Sequence, residues 1–272
     1  MTLSIVPLAE GKTQLILPHT VIQQAKDDIT ADDGKKHDLL SGKAVWSTTT
    51  SCNNFGFLRT HGIPVAFLEK ISPTSFSALY CDMLPYEVVA RREVQGKNFP
   101  LRRPDLKVGD RFDEPLIEFF LKTSNRRWKD NSLPCDDPLM RFDDEDGFIH
   151  LFVPNKPEVE PFLSLSYDEV FIHDNERELI EKMRVLTRDV FLLLEGAWGK
   201  LEFNLADFKI EFGIDAFGKL RVADVIDNDS GRLMYKGKHA SKELYREDKG
   251  LDEVAAKFAF VAEQSTLLKS LR

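Results

Sequence analysis

Lys209, Glu211 and Asp224 are the residues whose types and spacing first suggest chemistry. Phe208, Ile210, Phe212 and Ile214 alternate before a turn, and Leu220, Val222, Asp224 and Ile226 alternate after it. That period of two predicts a β-hairpin, with Lys209, Glu211 and Gly213 on the face opposite the Phe/Ile row. A loop over 216–219 would pair Asp215 with Leu220 and set Glu211 directly opposite Asp224. Like charges facing each other across two strands repel unless something compensates. One reading places a divalent cation between the carboxylates, helped by Lys209. Mg²⁺ prefers such a site, with one or two carboxylates completed by phosphate and water oxygens. The other reading leaves two exposed carboxylates in a shifted register, and spacing alone keeps both open. Residues 213–220 also nearly match the phosphate-loop pattern GxxxxGK[ST]. Leu220 stands where a hydroxyl would be needed for magnesium, and a strand rather than a helix follows, which excludes that loop.

The elements that must position these residues are mixed. Residues 14–18 and 20–24 are strand-like, and 26–36 is polar with turn chemistry at Asp32, Asp33 and Gly34. Residues 42–60 have helical length and meet a stop at Gly62 and Pro64. Residues 64–68 and 87–91 alternate as strands, with Met83, Leu84 and Pro85 between extended segments at a place for a domain hinge. An apolar run lies within 113–122, and 153–161, with its prolines, reads as a connector. Residues 176–198 form the clearest helix. There Leu179, Ile180, Met183, Leu186, Val190, Leu193 and Leu194 make one apolar stripe that belongs to the core. A second helix spans 251–271. Without a regular βαβ rhythm, the fold class is α+β rather than a doubly wound sheet.

The 272 residues include 37 Lys+Arg against 45 Asp+Glu, a net charge of −8. This balance excludes a nucleic-acid coat or a polybasic membrane binder, both of which need clustered positive charge. No apolar run approaches the roughly 20 residues of a membrane span, and residues 1–12 lack the pattern of a secretory signal. Cys52, Cys81 and Cys135 are odd in number and far apart, which points to a reducing, cytoplasmic compartment without a disulfide frame. Charge is unevenly spread: residues 91–129 hold eleven Lys/Arg and six Asp/Glu. That excess is either a solvated face with incidental arginine pairs or a pocket for small anions. The acidic residues between 136 and 146 read as a solvated loop, because they lack the Gly and terminal Glu of a calcium loop.

DFKIEFG at 207–213, followed by VADVIDNDSGRL at 222–233, resembles the SAICAR synthetase family. EGKT (10–13), DDITADDGKK (27–36), GIPVAF (62–67), DMLPYEVVARR (82–92), IEFFLK (117–122), DDP (136–138) and SKELYR (241–246) occur in the family's order. The C-terminal half most resembles the animal-type, bifunctional version of the domain. The resemblance implies a small antiparallel-sheet lobe, 1–84, and a larger α+β lobe, 85–272, with ATP in the cleft, loosely as in ATP-grasp ligases and protein kinases. It implies that ATP, L-aspartate and the ribotide CAIR give SAICAR, ADP and phosphate in purine biosynthesis, with Mg²⁺ as cofactor. Carboxylates are poor electrophiles, so ATP would activate the CAIR carboxylate as an acyl phosphate that the aspartate amine then opens.

The resemblance also implies roles. Lys12 matches the family lysine near the ATP phosphates. Met83 and Leu84 match the backbone against adenine, with Glu87 just beyond. Lys122 and Lys209 match lysines near the nucleotide, and Glu211 and Asp224 match the magnesium carboxylates. Arg91 and Arg232 match ribotide-holding arginines, Asp33 a residue facing the ribotide, and Asp137 a substrate contact. Lys242 and Arg246 match anion binders of a late segment. Several positions depart from the family pattern: Gln14 replaces a lysine, Gly96-Lys97 replaces Gly-Ser, Ser241 replaces Asp, and Met234 replaces Trp. Lys97 offers the ribotide phosphate a charged donor instead of a hydroxyl. The Lys97 and Gln14 departures motivate one rival, a paralogous carboxylate–amine ligase; a rival of another class is a non-catalytic nucleotide-binding relative. Whether copies of the chain form a homo-oligomer stays open.

Overall fold

The computed structural model describes residues 9–10, 15–16, 20–31 and 35–271. Among these, a nine-stranded sheet is the organising element, and its pairings are antiparallel. At its centre the strand Cys81–Glu93 lies between Arg111–Leu121 and Phe203–Asp215. Gly231–Tyr235 extends the sheet on one side, and Leu139–Asp143, Phe148–Phe152 and Leu163–Ser166 extend it on the other. A separate three-stranded sheet pairs Thr20–Gln24, Ser75–Leu79 and Phe67–Ser72.

Alternation along the central strands separates two faces. Val88 and Ala90, Phe119, and Phe208, Ile210 and Phe212 point to one side, where they are buried. The helix Glu176–Gly199 covers that side with Leu179, Met183, Val190, Phe191 and Leu194, and Phe191 stacks on Phe208. The expected apolar stripe is therefore core. Glu87, Val89 and Arg91 share the other face with Glu118, Phe120, Asp207, Lys209 and Glu211, through the pairs Val89↔Glu118, Asp207↔Arg91 and Glu211↔Glu87.

Residues 83–85 are not a break between two extended segments. They lie inside one continuous strand, at a bulge between the pairs Gly213↔Met83 and Glu211↔Glu87. Pro85, which has no N–H to donate, is tolerated in such a bulge. The polar 26–36 stretch belongs to a hairpin, Asp28–Ala31 with Lys36–Leu39, whose turn lies outside the described residues. The helix Lys43–Thr60 follows Gly42, at φ +89°, and is capped from a distance. The Asp27 carboxylate accepts from the backbone N–H of Ala44 at 2.8 Å and of Gly42 at 3.3 Å. The last helix is shorter than its apolar pattern: α-helical turns end at Ser265, and Thr266–Ser270 is a 3₁₀ turn.

Candidate active site

The polar face of the central strands floors a cavity of about 330 Å³. Glu87, Arg91, Lys209, Arg232 and Arg246, all singled out from sequence, line it together with Asp207, Asp229 and Ser230. Two charged groups adjoin it, the first reaching its lining through Lys209 and Glu87 and the second through Arg91, Asp207, Arg232 and Arg246.

The first surrounds Lys209. Its Nζ lies 2.5 Å from Glu211, 3.1 Å from Glu87 and 3.8 Å from Asp224. Lys122 Nζ approaches the other Glu211 oxygen at 2.6 Å. The sequence-predicted register is off by one. Ile214 pairs with Leu220 and Glu211 with Ala223, so Asp224 does not stand opposite Glu211. The loop holds five residues because Asp215, 5% exposed, turns inward and caps it. Its carboxylate accepts from the backbone N–H of Phe217 and Lys219 and from Arg221. Asp224 still reaches the group: just past the strand end, at φ +59°, it brings its carboxylate back toward Lys209. The two carboxylates thus converge in a shifted register with unequal burial: Glu211 is 3% accessible, while the Asp224 side chain is 38% accessible. Burial pushes the Asp224 carboxyl above its usual range, and the nearby Glu211 charge adds to this. Burial would also raise Glu211, but Lys209 and Lys122 outweigh it and hold that carboxyl low. Burial alone would lower the Lys209 ammonium, yet Glu87 and Glu211 raise it.

The second group is a ladder of alternating charge. Arg91 Nη1 donates to Asp207 at 2.6 Å, and Arg232 Nη1 donates to the same oxygen at 2.8 Å. Arg232 Nε and Arg246 Nη1 both donate to Glu243 Oε2 at 2.8 Å. Burial by itself would lower the Arg232 guanidinium, but Asp207 and Glu243 keep it raised. Gly96, at φ +71°, makes room: a Cβ there would meet Arg232 Nη2 at 2.8 Å. Beside the ladder, Lys43 is buried and pairs with Asp229 at 2.8 Å. Lys242, at the start of the helix Glu243–Arg246, has its pKa lowered by burial.

Other predicted residues stand elsewhere. Lys12, Gln14 and Asp33 lie outside the described residues. Leu84 is buried in the core, so only its backbone is available to a ligand, while Met83 is partly exposed. Asp137, at φ +46°, accepts from the Thr123 N–H at 2.8 Å, and its own N–H donates to Thr123 Oγ1. Burial raises its carboxyl. Lys97 is exposed before the short helix Asn98–Arg102. The basic excess at 91–129 turns out to be largely paired: Arg92 with Glu195, Arg102 with Glu118, Arg103 with Asp105, and Arg111 with Glu93. Asp207, Glu243, Lys43 and Asp229 were missed from sequence. Asp207 alone carried a signal, since it shares the 207-209-211 alternation that exposed Lys209 and Glu211.

Fold and cavity define a class: a mixed α/β protein that presents placed cations and clustered carboxylates over one face of an antiparallel sheet. The chain belongs to the SAICAR synthetase family, whose sequence model matches residues 7–142 and 162–260. It is 35% identical over 271 residues to a phosphoribosylaminoimidazole-succinocarboxamide synthase of Roseiflexus sp. (strain RS-1), covering 95% of each chain. It is 33% identical to the multifunctional protein ADE2 of Gallus gallus, covering 95% of this chain and 58% of that one. The structure resembles a SAICAR synthetase in complex with ADP, at 26% identity and TM-score 0.69 over 91% of each chain. It also resembles the phosphoribosylaminoimidazole-succinocarboxamide synthase of Ehrlichia chaffeensis, at 25% identity and TM-score 0.69, covering 96% of this chain and 98% of that one. No described helix is long and apolar enough to cross a membrane.

Proposed function

We propose that this protein joins L-aspartate to the carboxylate of CAIR at the expense of ATP, giving SAICAR, ADP and phosphate in purine biosynthesis. The observation that carries the assignment is the shared cavity. A lysine–carboxylate cluster suited to a nucleotide's phosphates and an arginine ladder suited to a second anion occupy one sheet face. Relatives bearing the enzyme's name at 35% identity do not favour a paralogous ligase or a non-catalytic relative.

In the first step a CAIR carboxylate oxygen attacks the γ-phosphorus, and the bond to the bridging oxygen of ADP breaks. In the second the neutral aspartate amine adds to the acyl carbon, phosphate leaves, and the amine gives up a proton. Phosphoryl transfer of this kind depends on positioning and charge neutralisation. Lys209 and Lys122 are the cations we assign to the phosphate oxygens, with Lys12 added on the resemblance alone. Their pairing with Glu211 fixes their ammonium groups before substrate arrives. The backbone of Met83 and Leu84 is assigned to adenine, beside Glu87. Arg91, Arg232 and Arg246 are assigned to the ribotide phosphate or carboxylates, with Lys97, Lys242, Asp33 and Asp137 nearby in role.

Glu211 and Asp224 fit a divalent cation: both carboxylates reach the same Lys209 ammonium, burial and then the Glu211 charge push up the Asp224 carboxyl, and a dication offsets both. These two side chains would hold Mg²⁺, which when bound neutralises phosphate charge. The division into lobes 1–84 and 85–272, and a cytoplasmic location, belong to the same proposal.

Purified protein with CAIR, aspartate, ATP and Mg²⁺ is expected to release ADP and SAICAR together. Folded protein yielding no SAICAR above a no-enzyme control would overturn the assignment.

A further inference from the structure

Glu118 and Arg102 do not line the cavity, yet both are almost fully buried directly behind one of its arginines. Glu118 sits on the polar face of its strand, beside Val89. Burying an isolated carboxylate is strongly unfavourable, so its partners define why it is there. Arg102 Nη2 donates to Glu118 at 2.6 Å, and Arg91 Nε lies 3.6 Å from the other carboxylate oxygen. Both guanidiniums also lie against the ring of Phe99, at 4.5 Å for Arg91 and 4.8 Å for Arg102. Two like charges are thus brought together on one aromatic ring with Glu118 between them; Arg141 also lies 3.6 Å from Glu118, and Glu158 lies 3.3 Å from Arg102.

Arg91 needs this support. Its front partner, Asp207, is shared with Arg232, so one carboxylate serves two guanidiniums. Glu118 behind and Phe99 on the ring face fix the remaining freedom. Arg91 lines the cavity, and its buried Nε faces the Glu118 carboxylate at 3.6 Å as an ion pair without a hydrogen bond.

We propose that Glu118, with Arg102 and Phe99, is a positioning unit that sets the direction of the Arg91 guanidinium and thereby the affinity of the anion it meets. None of the three touches substrate. The proposal rests on the ribotide role assigned to Arg91 above. It also accounts for part of the basic excess at 91–129: Arg102 is there to be buried, not to meet solvent.

The test compares Glu118→Gln, Glu118→Asp, Arg102→Lys and Phe99→Leu. Glu118→Gln is expected to raise the KM for CAIR about tenfold or more, as loss of a buried charge partner does. The KM for ATP should stay within about twofold, because Lys209 and Lys122 keep their own partners. Glu118→Asp should recover part of the loss. The Arg91 Nε–H resonance, assigned with Arg91→Lys, should be protected from exchange in the wild type and lose protection in Glu118→Gln. If Glu118→Gln fails to fold, Arg102→Lys and Phe99→Leu carry the same expectations in milder form. An unchanged CAIR KM in a folded variant would overturn the proposal. So would a rise in both KM values that follows thermal stability. A wild type that forms no SAICAR but shows the protected Arg91 resonance, lost in Glu118→Gln, would overturn the activity and leave the positioning standing.

Discussion

Asp224 owes its place to one backbone angle. At φ +59° it occupies the left-handed region that Asp and Asn tolerate better than most residues. That angle ends the strand at Ala223 and swings the carboxylate to within 3.8 Å of Lys209. Burial and the Glu211 charge push its carboxyl above the usual range. Asp224→Asn keeps the shape and the backbone preference but removes the charge. The fold gives up nothing it depends on, whereas the proposed metal site loses a ligand. We expect kcat/KM to fall by about 10² or more, the scale of losing one fixed electrostatic contact in a transition state. Melting temperature should be unchanged or slightly raised, because a like-charge repulsion is gone. Parallel measurements of rate and thermal unfolding check this. Equal losses in both would assign Asp224 a structural role instead.

At the scale of elements, the sheet depends on how closely the strand Cys81–Glu93 approaches Phe203–Asp215 at Gly213. A Cβ there would lie 2.6 Å from Cys81 Cβ and 3.0 Å from the Asp82 carbonyl oxygen. Neither is the end of a flexible side chain, so the strands must separate. Gly213→Ala is therefore expected to cost about 1–3 kcal/mol, the usual penalty for overpacking, read as a lower urea midpoint at constant m-value. A midpoint equal to wild type would show that the sheet yields easily there. The near-match to a phosphate loop hid this packing role, although the alternation around it correctly announced a hairpin. That alternation put Lys209 and Glu211 on one face, as the structure does. It missed the register by one, because the inward turn of Asp215 depends on Arg221 and loop N–H groups that spacing does not display. The helix Glu176–Gly199 was legible because its stripe is pure core. The ladder Arg91–Asp207–Arg232–Glu243 was not, since its members come from three strands and a short helix that only the tertiary fold brings together. The substrate-side departures likewise had no local signature of what surrounds them.

At the scale of the molecule, the buried apolar side chains of the described residues gather in two clusters. The large cluster joins the central sheet to the helix Glu176–Gly199. The small one gathers Ile29, Ala31 and Leu40 with Leu244, Tyr245, Val254 and Phe258. It binds the hairpin at 28–39 to the segment that carries Lys242 and Arg246. Polar contacts reinforce it: Lys36 donates to the Tyr245 carbonyl at 2.5 Å and pairs with Asp248, and Tyr245 donates to Asp38. A chain of net charge −8 must concentrate its cations to meet anionic substrates, and one set of them rides on this minor core. Small cores open more readily than large ones, because fewer apolar contacts oppose local unfolding. Phe258→Ala removes a ring that is 1% exposed, a change that typically costs about 3–5 kcal/mol where it acts. We expect amide exchange to accelerate in 28–39 and 241–248 far more than in the central strands, and the KM for CAIR to rise severalfold with Arg246 less firmly held. Phe191→Ala, in the large cluster, should instead accelerate exchange throughout the sheet. Uniform acceleration by Phe258→Ala would mean that the two clusters open as one, and that the late segment is no more mobile than the sheet beneath it.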